Sequence, residues 1–212
     1  MVSAVAIATA VLVVGVAYGA TALSAGFPPW LVILAAVLIL GASSELLFVG
    51  VIAAGGLPWV AVGAALLINL RNVVYGFSAS AFLPGQRLLR LFTTHLVNDE
   101  SVAFALAQQP ARRLSAFRAV GVAILIAWPL GATIGVIIGY IVPDPSRLGL
   151  DAAFPAIFCA ILLGSINRRT IAPAVTGATI AIAATPFVAA GVAPVLGLAG
   201  LLSLARRWRR RA

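Results

Sequence analysis

The chain contains no lysine, five acids, one histidine and one cysteine, and only 9% of its 212 residues are charged. A soluble domain carries about 25% charged residues. That scarcity excludes a soluble globular fold. It also fails the test for disorder, which needs low hydrophobicity and high charge. A single cysteine, Cys159, cannot close an intramolecular disulfide or build a cysteine metal site. In its apolar run it reads as a small buried residue. The first residues lack the basic n-region of a signal peptide, so the opening apolar run is read as a retained span. No nucleophile–base pair, metal-ligand cluster or phosphate loop is present. Neither a cofactor nor an enzymatic reaction is expected.

Hydrophobic residues make up 63% of the chain. A helix crossing a bilayer takes roughly 20 residues, so the length accommodates six to eight spans with short connections. The expected fold is all-α: one polytopic transmembrane bundle over residues 1–212, with some helices broken near the midplane. Prolines and glycines punctuate it. Gly26, Pro28 and Pro29 separate a span over about 3–23 from one over about 29–54. Gly55, Gly56 and Pro58 form a turn into a third span, which stops before Pro84-Gly85. Later spans are placed at about 118–142, 151–166, 170–189 and 194–206, with a turn at Gly191 and Pro194. The segment 85–117 is too polar to span. It reads as amphipathic helical pieces on the cytoplasmic side or in the interface.

The basic residues are 14 arginines, giving a net charge of +9. They lie between apolar runs, as in the cytoplasmic loops of membrane proteins, and not in a nucleic-acid-binding stripe. Twelve of the 14 fall between spans 3 and 4, between spans 5 and 6, and after span 7. Seven spans put all three clusters on one side. The positive-inside rule makes that side cytoplasmic, with the C-terminus inside and the chain in the inner (plasma) membrane. Trp30, Trp59 and Trp208 lie near span ends. Trp128 falls within a span and is expected to pack in the bundle. Gly15 and Gly19 on the first span, and Gly131, Gly135 and Gly139 on the fourth, allow close helix approach. They serve either packing or a sliding surface.

Ionisable groups inside a span cost about 2.5–3.5 kcal/mol each on insertion scales. Glu45 and Arg71 are placed there, about 15 and 22 Å down a helical hairpin counted at about 1.5 Å per residue. Two readings follow. In one they form a structural ion pair. In the other they hold a zwitterion, its carboxylate on Arg71 and its amine on Glu45. Ser44, Asn69, Asn72 and Tyr75 complete the candidate binding set. Asn98-Asp99-Glu100-Ser101 is a second polar knot. It reads as a solvated loop, as a helix start capped by Asn98, or as a gate or coupling element built on Asp99 and Glu100. His95 is either incidental or a proton relay.

At these residues the sequence resembles the AzlC-type branched-chain amino-acid permease family. The run Asn69-Leu70-Arg71-Asn72-Val73-Val74-Tyr75-Gly76 is similar to that family's arginine followed by Tyr-Gly. Asn98-Asp99-Glu100 with Ala103-Phe104-Ala105 resembles its Thr-Asp-Glu segment, and Gly41-Ala42-Ser43 its small-residue motif. Trp128, Gly131 and Gly135 resemble its Trp-x-x-Gly-x-x-x-Gly run. Leu148-Gly149-Leu150-Asp151 with Pro155-Ala156-Ile157-Phe158 resembles the opening of its later spans. Ser44-Glu45 stands where the family commonly has a glutamine, and Asn98 replaces its threonine. The resemblance implies export of hydrophobic amino acids such as valine, leucine and isoleucine. It also implies a small, separately encoded membrane partner subunit of the AzlD type. The competing class is a structural or assembly subunit of the membrane in which Glu45 and Arg71 merely pair. A membrane enzyme ranks third.

Overall fold

The computed structural model describes residues 2–142, 159, 163, 166–168, 170–188 and 192–202. Among them every regular element is a helix. α1 is Val2–Ser24, α2 Pro29–Leu38, α3 Ala42–Ala53, α4 Pro58–Asn69 and α5 Arg71–Ser80. α6 is Arg87–His95, α7 Asp99–Leu106 and α8 Arg113–Ile141. α9 (Ile171–Ala184) and α10 (Val192–Gly197) follow. Three stretches, Ala4–Ser24, Pro58–Ser80 and Pro110–Ile141, are long and apolar enough to cross a membrane. α2, α3 and the stretch Ile171–Phe187 are shorter apolar helices. The chain is therefore a helical membrane bundle.

The punctuation works as its chemistry requires. Gly26 and Gly55 have φ of +86° and +78°, the left-handed conformation that glycine adopts without a Cβ penalty. Phe27 N–H then reaches back to Ala22 O, and Gly56 N–H to Val51 O, so carbonyls left open at each helix end are bonded. Pro29 and Pro58 open α2 and α4, where a missing N–H costs nothing.

α1 and α8 form the central pair, and their glycines explain how. A Cβ on Gly19 would overlap the Ala132 carbonyl, and one on Gly135 the Val16 carbonyl. The two glycine stripes thus face each other and bring backbone against backbone. Around this pair, Tyr18, Val32, Leu46, Val49, Val120 and Trp128 make the main apolar core. Gly177 meets Gly197 and Gly200 in the same manner where α9 packs on the chain following it.

Two departures from the expected layout shape the site. The second span is not one helix but α2 and α3, interrupted at Ile39–Gly41. Leu40 there has φ +49°, a conformation costing about 1–2 kcal/mol for a residue with a Cβ. Leu40 is buried in the core, which holds it in place. The polar segment 85–117 is helical as expected, but its tip does not rest on the outside of the bundle. The short turn between α6 and α7 is buried at Leu96 and Asn98, and α7 packs on α8 and α5. His95 Nε2 lies 2.9 Å from the carbonyl of Val37 near the end of α2. Leu96, Val102, Ala105, Phe117 and Ala79 bury a second apolar core beneath that turn. Cys159, expected inside, is exposed. The expected span at 151–166, apart from Cys159, Leu163 and Ile166, and the expected turn at Gly191 lie outside the described residues. So do Asp144, Arg147, Asp151 and the arginines after 202.

Candidate functional site

Three points along the chain meet at one level of the bundle. The first is the break between α2 and α3. The second is the junction of α4 and α5 at Leu70, which keeps a helical conformation within the stretch Pro58–Ser80. The third is the turn between α6 and α7. Arg71 opens α5, and its guanidinium bridges the other two. Nη1 lies 3.1 Å from Asp99 Oδ2, and Nη2 donates to Ser43 Oγ over 2.9 Å. Arg71 is thus tied to the first residue of α7 and the second residue of α3.

Local sequence accounts for each anchor. Asn98 caps α7: its Oδ1 accepts from Ser101 N–H at 2.8 Å, and Ser101 Oγ accepts from Asn98 N–H at 3.3 Å. This reciprocal pair satisfies amides that open a helix, and it leaves Asp99 in the first turn, where the helix dipole favours a carboxylate. Ser44 Oγ donates to Gly41 O at 2.8 Å and shapes the start of α3. The first amides of a helix have no partner within it, so the opening turns of α3 and α7 add positive potential around Arg71.

A small polar pocket of about 40 Å³ lies here. Arg71, Asn72, Asn98, Asp99, Glu100 and the run Gly41–Ser43 line it. Arg71 Nε, Asn72 Oδ1 and Asn98 Nδ2 are buried there without hydrogen-bond partners. Unpartnered buried polar atoms are expensive, and here they border the same pocket.

Glu45 is elsewhere. Its carboxylate is buried behind the start of α3, where Oε1 accepts from Gly41 N–H at 3.0 Å and from Trp128 Nε1 at 3.1 Å. Tyr18 stacks on Trp128 with ring centroids 5.2 Å apart. Glu45, Ser44 and Asn69 line a second, largely apolar cavity of about 360 Å³ between α1, α2, α3 and α4. The expected Glu45–Arg71 ion pair is therefore not formed: among the described residues the partner of Arg71 is Asp99. The depth arithmetic treated residues 29–54 as one straight helix. The break at 39–41 turns Ser43 toward Arg71 and sends Glu45 to the other side.

Of the expected binding set, Arg71 and Asn72 share the polar pocket with Asp99 and Glu100. Ser44, Glu45 and Asn69 line the apolar cavity. Tyr75 packs against the second apolar core. Ser43 and Trp128 were not in the expected set, although both belong to motifs on which the family resemblance rests. Ser43 is a neighbour of the broken position, and Trp128 is a buried donor needing an acceptor.

A helical membrane bundle with a broken helix and a helix start meeting at a partly buried arginine has the architecture of a membrane transport protein. The family model described as AzlC protein matches residues 6–142. The chain belongs to that family, and its function is related to membrane transport. No curated protein matches the chain, and no solved structure does.

Proposed function

We propose that the chain exports branched-chain, hydrophobic amino acids across the inner membrane, acting with a small AzlD-type membrane subunit. The observation that carries the reading is Arg71, held between Asp99 at the start of α7 and Ser43 at the start of α3, beside the α2–α3 break. A guanidinium matches a carboxylate in a two-pronged fork. An arriving amino acid presents its carboxylate to Arg71 and displaces Asp99. The released Asp99 then receives the ammonium group. This exchange leaves no buried charge uncompensated at any stage, which is the costly outcome. The polar pocket is sized for the carboxylate end alone, so the aliphatic end requires the start of α7 to move relative to α3. Asp99 and Glu100 then act as gate as well as ligand. The distribution of arginines supports a cytoplasmic C-terminus.

The test is leucine counterflow in proteoliposomes containing the chain and its partner subunit. Leucine-loaded vesicles should accumulate labelled leucine, and Arg71→Lys should weaken apparent affinity at least tenfold while inserting normally. Unchanged affinity in Arg71→Lys would move the carboxylate site elsewhere. Absence of counterflow by the intact pair would end the reading.

A further inference from the structure

Among the described residues, Glu45 is the one buried acid that the carboxylate exchange leaves unused. It is 3% exposed. Oε1 has two donors, Gly41 N–H and Trp128 Nε1. Oε2 is buried with no hydrogen-bond partner, and so is Asn69 Oδ1. Both residues line the same cavity, together with Ser44. Gly41 marks where these oxygens converge. A Cβ at Gly41 would lie 2.7 Å from Ser44 Oγ and 3.2 Å from Asn69 Oδ1. The missing side chain leaves three oxygen-bearing side chains around one short piece of backbone.

Charge at this place does not balance. α1 contributes Tyr18, whose hydroxyl faces the carboxylate as a neutral donor, α8 contributes Trp128 and α4 contributes Asn69, and none of these is a cation. Arg71 on α5 is committed to Ser43 and Asp99. Donors on one oxygen compensate a buried carboxylate only in part, and a positive charge or a proton at the other oxygen relieves the rest. Carboxylate, amide and hydroxyl oxygens are the donors that suit a hard cation. Helix breaks add carbonyls: α2 ends at Leu38, so its last carbonyls lack partners within the helix, and of these Val37 O is already taken by His95 Nε2. Broken helices supply such sites for coupling ions in other transport folds.

We propose that Glu45, Asn69 and Ser44 form a binding site for one small monovalent cation, a proton or sodium, on the side of the α2–α3 break opposite Arg71. Both unpartnered oxygens are buried beneath the wall of the cavity, which favours a bare ion over a bulky alkylammonium. The use of the site as the coupling site rests on the transport reading; cation binding itself does not.

The experiment uses the full chain in lipid nanodiscs with Trp30, Trp59 and Trp208 changed to phenylalanine, leaving Trp128, which donates to Glu45 and also borders the Arg71 pocket, so that the Glu45, Asn69 and Arg71 variants assign the signal. Sodium chloride replaces choline chloride at constant pH and ionic strength; separately, pH is stepped in choline chloride. One cation should give a saturable change in Trp128 emission. Glu45→Gln keeps an oxygen for the Trp128 bond but should weaken that response at least tenfold. Asn69→Ala should weaken it severalfold, and Arg71→Lys should leave it unchanged. No response to either cation, a full response in both Glu45→Gln and Asn69→Ala, or a response only to leucine or an alkylamine would overturn the proposal. A normal cation response beside failed leucine counterflow would leave the site standing and remove only the transport reading.

Discussion

The Arg71 guanidinium and the Asp99 carboxylate stand 3.1 Å apart, each side chain about one-third exposed. That exposure sets what the pair contributes. A fully buried pair loses about 3–5 kcal/mol when one partner is removed. A partly wet pair is worth about 1 kcal/mol or less. The pair is therefore better suited to exchanging partners than to holding the bundle together. A double-mutant cycle of Arg71→Gln and Asp99→Asn, read by thermal unfolding in lipid, should give a coupling of about 1 kcal/mol or less. Leucine counterflow in either single variant should fall at least tenfold. A coupling several times larger would assign the pair to stability.

The contact between α1 and α8 should tolerate almost no added volume. At Gly135 a methyl group meets backbone, the Val16 carbonyl, and at Gly139 it meets the end of a side chain, Leu23 Cδ2, at 2.9 Å. Backbone cannot yield without separating the helices, whereas a leucine can change rotamer. Gly135→Ala should therefore strongly reduce the yield of monodisperse protein, and Gly139→Ala should change it little. Equal behaviour of the two in size-exclusion chromatography would contradict the close backbone approach.

Trp128→Phe keeps most of the ring volume but removes the donor to Glu45 Oε1. Gly41 N–H then remains as the other donor to that oxygen. Leaving a buried acceptor short of a bond costs about 1–3 kcal/mol. The expected outcome is a clear loss of thermal stability, with a smaller loss in Glu45→Gln, where the acceptor survives. A stability unchanged in Trp128→Phe would mean that the bond contributes nothing net.

Much of the fold was legible because proline and glycine act locally. The ends of α1, α2 and α4 sit where Gly26, Pro29 and Pro58 place them, since a fixed φ or a missing Cβ decides there without help from the rest of the chain. The break at 39–41 was not legible. Leu40 is an ordinary helix former, and only its burial in the core holds it at positive φ. The partner of Arg71 was lost with it. Counting residues along a straight hairpin selects Glu45, whereas the observed partner, Asp99, opens α7, 28 residues further on. The Asn98 cap was legible as one of three readings because an N-cap needs only neighbouring residues. The entry of that helix start into the bundle depends on the turn burying Leu96 and Val102, which local pattern does not reveal.

Side assignment follows from the arginine clusters and can be tested apart from the site. In a Cys159→Ser background, single cysteines at Gln108 and Ser146 should react with a membrane-impermeant thiol reagent from opposite faces of sealed vesicles, Gln108 from the cytoplasmic face. Reaction of both from one face would reject the seven-span arrangement.

The cap on α7 makes the final prediction, because it separates local folding from placement of Asp99. Asn98 Oδ1 accepts from Ser101 N–H, and Ser101 Oγ also donates to Leu96 O over 2.8 Å, so one serine ties the cap to the turn before α7. Replacing an N-cap asparagine with alanine costs about 1 kcal/mol of helix stability. Here the same change also frees the first turn that presents Asp99 to Arg71. Asn98→Ala should thus lower thermal stability modestly but reduce leucine counterflow more than tenfold. Asn98→Asp retains a capping oxygen and should recover stability. It also adds a second carboxylate next to Asp99, so it should compete for Arg71 and leave transport impaired. Recovery of both properties in Asn98→Asp would show that Asn98 acts only as a cap and that the charge balance around Arg71 tolerates an additional acid.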